Sequence, residues 1–315
     1  MQYARLKGRL AAGHTIILDG PTGTELQRRG APMDQAAWCG PATLENERLL
    51  TEIHSDYIAA GADVITANTY ASSRLMLAKA GLADRVEDIN RRAVAAALRA
   101  REAAAGGKAV VVAGSLSHMV PIVHGGRAAD SDLLPSDAEI DDALRELAQI
   151  LAQAGCELII LEMMYHPRRV RAALDAARMT GLPIWFGASA RRGHTGGVVT
   201  YDQSDEIPLE TVAAMIPSAG IDAAGIMHTG VEVMGEALEI VRKNFNGPLM
   251  AYPDSGDFEM PNWRFVDVVT PQRFEIFCRE WIASGVQIVG GCCGLTADHI
   301  RAAVRARAAV GKTAR

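Results

Sequence analysis

Short apolar runs, each stopped abruptly by a polar or small residue, recur along the whole chain. Ile16-Ile17-Leu18 stops at Asp19-Gly20, and Asp63-Val64-Ile65-Thr66 stops at Asn68-Thr69-Tyr70. The run 109–113 stops at Gly114-Ser115, 158–161 at Glu162, and Ile184-Trp185-Phe186 at Ala188-Ser189. The run 223–227 stops at His228, Leu249-Met250-Ala251 at Tyr252-Pro253-Asp254, and 286–289 at a Cys pair flanked by glycines. Short runs with little polar alternation are expected for strands buried on both faces of a parallel sheet. Between them lie amphipathic stretches at helical spacing, over 44–60, 85–104, 138–154, 167–180, 208–217, 230–245, 271–284 and 297–309. Ser136-Asp137 and Gly155 frame the third of these as N-cap and C-cap signals. Strand alternating with helix in this way predicts a (β/α)8 TIM barrel, a single domain over 1–315. The competitor is an open doubly wound sheet, and no G-x-G-x-x-G follows the first strand to support it.

In such a barrel the groups that follow the strands share one mouth. Asp19, Asn68, Ser115, Glu162, Ser189, His228, Tyr252, Cys292 and Cys293 are therefore expected to ring one opening. The most informative stretch is Gly290-Gly291-Cys292-Cys293-Gly294. Adjacent side chains on a regular strand point to opposite faces, and glycine-permitted backbone angles lift that limit. Two thiolates converging past a strand end suit a soft metal such as Zn²⁺, and His228 can supply a third ligand of a tetrahedral site with one open position. The competing reading makes the Cys pair small buried residues in a turn and His228 a strand-end cap. Asp19 and Glu162 can hold an ammonium group. The amides of 20–24, with Thr24 and Glu25 opening the next element, can cradle a carboxylate. A sulfur-binding metal, acids and amides together describe an amino-acid thiol as ligand.

Composition narrows the setting. The 315 residues are 49% hydrophobic and 22% charged with a net charge of −5, so neither nucleic acid nor an anionic membrane is an expected partner. Five cysteines favour reduced thiols and a cytoplasmic setting, with Cys39, Cys156 and Cys278 as packing residues. The basic residues Arg5, Lys7 and Arg9 are not followed by an apolar core segment, so no signal peptide is expected. No apolar run approaches a membrane span.

Asp19-Gly-Pro-Thr-Gly-Thr-Glu25, Gly61-Ala-Asp-Val-Ile-Thr-Ala-Asn-Thr-Tyr70, Ile160-Leu-Glu162 and Gly290-Gly-Cys-Cys-Gly294 resemble the homocysteine S-methyltransferase family in order, from about Ile16 to Ile300. The 68–74 segment resembles the homocysteine module of cobalamin-dependent methionine synthase more than the betaine-dependent enzymes. The resemblance implies a zinc-bearing barrel that moves a methyl group onto the sulfur of homocysteine or a related thiol. The donor is left among a sulfonium, a quaternary ammonium and a methyl-corrinoid. No corrinoid-binding segment lies in the chain, so a corrinoid must come from a separate protein; a homo-oligomer is left open. By the resemblance Cys292 and Cys293 are zinc ligands, and Asp19 and Glu162 contact the amino acid.

The chain also departs from the family pattern. The third ligand is normally the Cys of a Gly-x-Asn-Cys segment, and Gly225-Ile-Met-His228 stands here, which makes the site one charge less negative. Tyr252-Pro-Asp254-Ser-Gly256 carries Asp for the usual Asn. The 115–130 stretch lacks the usual Gly-Pro pair; it carries His118, His124 and Arg127 and is expected on the donor side, with His124 as a loop residue. Two alternatives stay open: a diverged, demethylase-like member with another acceptor or donor, and a non-catalytic small-molecule binding barrel with a degenerate metal site.

Overall fold

The apolar runs are the strands of a closed parallel barrel in the computed structural model. It describes residues 2–217 and 220–313; the outermost residues of the 1–315 expectation, Met1, Ala314 and Arg315, lie outside them. The strands are β1 (Ile16–Ile17), β2 (Val64–Ala67), β3 (Val111–Ser117), β4 (Leu158–Met164), β5 (Ile184–Ala188), β6 (Ala223–Gly230), β7 (Leu249–Asp254) and β8 (Val286–Val289). They form one 8-stranded sheet in the order β1-β8-β7-β6-β5-β4-β3-β2, every pair parallel. A single bridge, Leu18 to Val64, closes β1 onto β2, with Asp63 N donating to Ile17 O at 2.7 Å and Asp19 N to Val64 O at 3.1 Å. Helices alternate with the strands, and the expected (β/α)8 barrel is the fold found.

Alternation along each strand separates two cores. Ile16, Leu18, Val111, Ile160, Trp185, Met250 and Ile288 belong to one buried cluster, inside the barrel. Their neighbours Ile17, Val112, Ile159, Leu161, Phe186, Ala251 and Val289 belong to the other, packed with the helices. A strand buried on both faces reads as a continuous apolar run, which is why the strands stand out in the sequence.

Several helix boundaries differ from expectation. The 44–60 stretch is a 3₁₀ turn, Pro41–Leu44, followed by a helix over Glu47–Ala60. The 208–217 stretch is helical only over Leu209–Ala213 and continues as turns to Ile216, which Pro217 keeps from extending the helix further. The helix Asp137–Ala154 carries a full capping box, Ser136 with Glu139, and ends on left-handed Gly155.

An N-terminal helix and two hairpins are among the features beyond the expected elements, which also include the short helices Thr22–Arg28 and Arg74–Leu77. The helix Gln2–Ala11 buries Tyr3, Leu6 and Leu10. Tyr3 receives a hydrogen bond from Trp185 Nε1 at 3.0 Å and donates one to Asp222 at 2.8 Å. Two short hairpins, Ala190–Arg192 with Val198–Thr200 and Asp257–Glu259 with Asn262–Arg264, follow β5 and β7. Among the described residues no helix is long and apolar enough to cross a membrane.

Candidate active site

The strand ends that carry the site are irregular. Register shifts fall between Leu161 and Met164 in β4 and between Met227 and Gly230 in β6. Met163 (φ 60°) and His228 (φ 45°) take the left-handed backbone conformation inside these shifts. Such irregularities re-aim side chains that a regular strand would point elsewhere. They bring Glu162 and His228 to one point, where His228 Nε2 lies 2.7 Å from Glu162 Oε1.

The Cys pair arrives from the turn after β8. Cys292 N donates to Pro253 O at 2.7 Å, and Ser255 N donates to Cys293 O at 2.9 Å, so the turn is tied to the end of β7. Gly290 passes close to β1, where an added Cβ would lie 2.6 Å from Leu18 O. Cys292 Sγ lies 3.8 Å from Cys293 Sγ and 3.4 Å from His228 Nδ1. The ligand atoms of His228, Cys292 and Cys293 lie within 4.8 Å of one another, and all three residues are buried. Tetrahedral zinc with ordinary Zn–S and Zn–N bonds places two sulfurs about 3.8 Å apart and a sulfur and nitrogen about 3.6 Å apart. The observed separations fit that spacing, and two thiols with an imidazole are a donor set suited to zinc.

The electrostatics are those of thiols and an imidazole in a dry pocket. Burial alone would lower the His228 pKa, but the Cys293 sulfur and the Glu162 carboxylate outweigh it and push it up to about 10. A hydrogen bond from Cys292 and the His228 ring hold Cys293 below the ordinary thiol range, while burial pushes Cys292 up. Burial also raises Asp19 well above the carboxylate range.

These residues face an inner cavity. Ser115, Glu162, His228, Tyr252, Cys292 and Cys293 line it together with the 20–23 segment. Of the other expected site residues, Asp19 is buried beside it and accepts from Thr66 N at 2.6 Å and Thr66 Oγ1 at 3.1 Å. Asn68 accepts from Thr22 Oγ1 at 3.2 Å and donates to Cys39 O at 3.0 Å, bracing the 20–23 turn from behind. Thr24 Oγ1 accepts from Gly294 N at 3.2 Å, which ties the first turn to the Cys turn. Glu25 is drawn to Arg29 (2.9 Å) and Arg28 (3.4 Å) and does not line the cavity. Ser189 does not line it either; its hydroxyl is buried without a hydrogen-bond partner among the described residues.

An outer cavity of about 660 Å³, part of it open to solvent, adjoins the inner one. Both are lined by Trp38, Tyr70, His228 and Cys293. Tyr165, Tyr201, Phe258 and Trp263 add aromatic wall, and Asp254 adds a carboxylate. From the 115–130 stretch His118 and Arg127 line this cavity, whereas His124 meets Gln35 at 2.8 Å on the surface. Burial holds the His118 pKa well below the ordinary range, so its ring is neutral and accepts from Tyr165 N at 3.1 Å. Arg127 is paired with Asp257 at 2.6 Å. Burial raises the Asp254 pKa to about 6. The aromatic residues escape sequence reasoning because they stand in loops and hairpins, where periodicity carries no signal. Tyr165, one residue after β4, is the one position whose place past a strand end could have marked it.

A family model described as homocysteine S-methyltransferase matches residues 16–307. A homocysteine S-methyltransferase of Zea mays is 27% identical, over 93% of this chain and 89% of that protein. A selenocysteine methyltransferase of Astragalus bisulcatus is 27% identical, over 92% of this chain and 91% of that protein. Among solved structures, the oxidized form of the homocysteine methyltransferase MmuM from Escherichia coli is similar with a TM-score of 0.72, at 25% identity over 93% of this chain and 96% of that one. Its metallated form has the same fold at 24% identity, with a TM-score of 0.72.

Proposed function

The chain belongs to the homocysteine S-methyltransferase family and is a methyltransferase, and from that premise we propose that it is a zinc-dependent enzyme transferring a methyl group from a small cationic donor to an amino-acid thiol. The observation that carries this reading is the junction of two cavities at His228 and Cys293, one bearing the thiol-rich ligand set and the other walled by aromatic rings. His228, Cys292 and Cys293 would hold the zinc, whose chemistry there would be to lower the pKa of the acceptor thiol so that a thiolate is available near neutral pH.

The chain's own residues do the rest. The backbone N–H groups of Gly20, Thr22 and Gly23, in a turn braced by Asn68 and Thr24, offer donors to the acceptor's carboxylate. Trp38 and Tyr70 flank both cavities and limit water at the point of transfer. The aromatic walls favour a positively charged donor, a sulfonium or a quaternary ammonium, through cation–π attraction. The acceptor sulfur forms the new S–CH₃ bond as the donor's bond to that methyl breaks; the leaving group departs neutral with the bonding pair, and the thiol proton has already gone to solvent. Holding both partners in line at the junction supplies the proximity this displacement needs. A single domain spanning the chain would hold both half-sites.

The test is direct. Chain loaded with zinc is given homocysteine and, in turn, a sulfonium, a quaternary ammonium and methylcobalamin. Methylated thiol is expected with a cationic donor. No uptake of zinc, or no product with any donor, would overturn the reading. His228→Ala is expected to weaken zinc binding less than loss of either cysteine; unchanged affinity in a chelator competition would remove His228 from the ligand set.

Asp254 gives a pH signature. It is ionised above about pH 6 and neutral below, so attraction for a cationic donor is present above that value and fades as pH falls through it. The donor KM is expected to rise about threefold to tenfold between pH 7 and pH 5. In Asp254→Asn the same KM is expected to be raised already at pH 7 and flat across the range. A wild-type KM that is flat from pH 5 to 7 would remove Asp254 from donor recognition.

A further inference from the structure

The replacement of a ligand cysteine by histidine changes what a neighbouring carboxylate is free to do. Glu162 accepts from Ser115 Oγ at one oxygen and meets His228 Nε2 at 2.7 Å with the other. Both oxygens are therefore engaged inside the protein. Nε2 is turned to the carboxylate, so Nδ1 is the nitrogen whose proton a bound metal would displace and whose lone pair it would take. Nδ1 is also the nearer of the two to Cys292 Sγ, at 3.4 Å against 3.6 Å. The left-handed backbone at His228 and the register shift around Glu162 set this orientation from two strands. A carboxylate that receives the outer N–H of a ligating imidazole fixes its tautomer and strengthens it as a ligand.

We propose that Glu162 is the positioning residue for His228, which ligates through Nδ1, and that Glu162 is thereby diverted from holding the ammonium group of the acceptor. This rests on the zinc-dependent reading above. It revises one expectation drawn from the family resemblance, in which Glu162 contacts the amino acid. The second expected acid, Asp19, is held by Thr66 N and Thr66 Oγ1. The acceptor's ammonium thus meets no carboxylate that is free of other duties among the inner-cavity residues described. Acceptor selection would lean on the sulfur and on the N–H groups of Gly20, Thr22 and Gly23.

Glu162→Gln tests the assignment with little change of shape. The carboxylate has two acceptor oxygens and Gln has one. Ser115 and His228 would compete for it, and an amide NH₂ facing Nε2 favours the tautomer with its proton on Nδ1. Zinc affinity measured by chelator competition in the full-length chain is expected to fall about 10-fold to 100-fold. The ligand-field bands of the cobalt-substituted chain are expected to shift. In a His228→Cys background, which has no ring to orient, Glu162→Gln is expected to leave zinc affinity within about threefold. The KM for homocysteine in Glu162→Gln at saturating zinc is expected to stay within about threefold of wild type.

If wild type holds zinc, yet Glu162→Gln leaves affinity and the cobalt spectrum unchanged, the assignment fails and the zinc reading stands. The assignment fails equally if the loss is as large in the His228→Cys background, or if homocysteine KM rises more than about 30-fold with metal affinity unmoved. A wild-type chain that takes up no zinc overturns both.

Discussion

Cys292→Ala is expected to remove bound zinc, from about one ion per chain to less than about a tenth, and to lower kcat/KM for methyl transfer by at least about a thousandfold. A thousandfold loss is about 4 kcal/mol of transition-state stabilisation. Losing one of two thiolates leaves a single sulfur and an imidazole, too few ligands for a tight tetrahedral site. The barrel itself should survive. Cys292 lies past the end of β8, and its backbone N–H still donates to Pro253 O. Metal analysis, steady-state kinetics and a denaturation curve of the metal-free protein together check the expectation. Zinc retained at wild-type stoichiometry, with activity intact, would remove Cys292 from the centre.

Gly294→Ala is expected to be the most damaging single-methyl change at the site. Gly294 takes φ +82°, and an added Cβ would lie 1.7 Å from Ser255 O and 3.0 Å from Trp263 Nε1. The backbone must move, and Ser255 N is what anchors Cys293 O. Strain and displaced contacts together are expected to cost about 2–4 kcal/mol of stability and to loosen the Cys pair. Gly235 is the control: it lies inside the helix Val231–Arg242, and an added Cβ there meets nothing within 4 Å. Gly235→Ala is expected to stabilise by about 0.5–1 kcal/mol. The shift in denaturation midpoint reads both, with opposite signs. Equal small shifts in the two variants would show that the Cys turn is not constrained as described.

The strand positions were legible because a barrel strand is covered on both faces, so its residues are apolar in a row. Asp19, Glu162, His228 and Tyr252 stood out because each interrupts such a run at its end. Glu25 and Ser189 show the limit of that inference. Both are polar and near a strand end, but Glu25 is drawn to two arginines and Ser189 is buried away from the cavity. Adjacency in sequence does not say which way a side chain turns. The outer cavity was less legible still. Trp38, Tyr201, Phe258 and Trp263 come from loops and hairpins far apart in the chain, and only the closed barrel gathers them. The helix Gln2–Ala11 is faint in the sequence because only three buried residues mark its inner face.

The sequence by itself determined the alternation of strand and helix, the barrel it closes into, and the order of the chemical groups around the mouth. Those follow from local burial and from the rule that strand ends share a face. Tertiary structure alone decided the pairing of Glu162 with His228 and the nitrogen this leaves toward the Cys pair. It also decided the meeting of a thiol-lined and an aromatic cavity at one wall. These depend on two strand irregularities and a strained histidine backbone that only contacts between distant segments hold in place, and no pattern of residue types encodes such an angle.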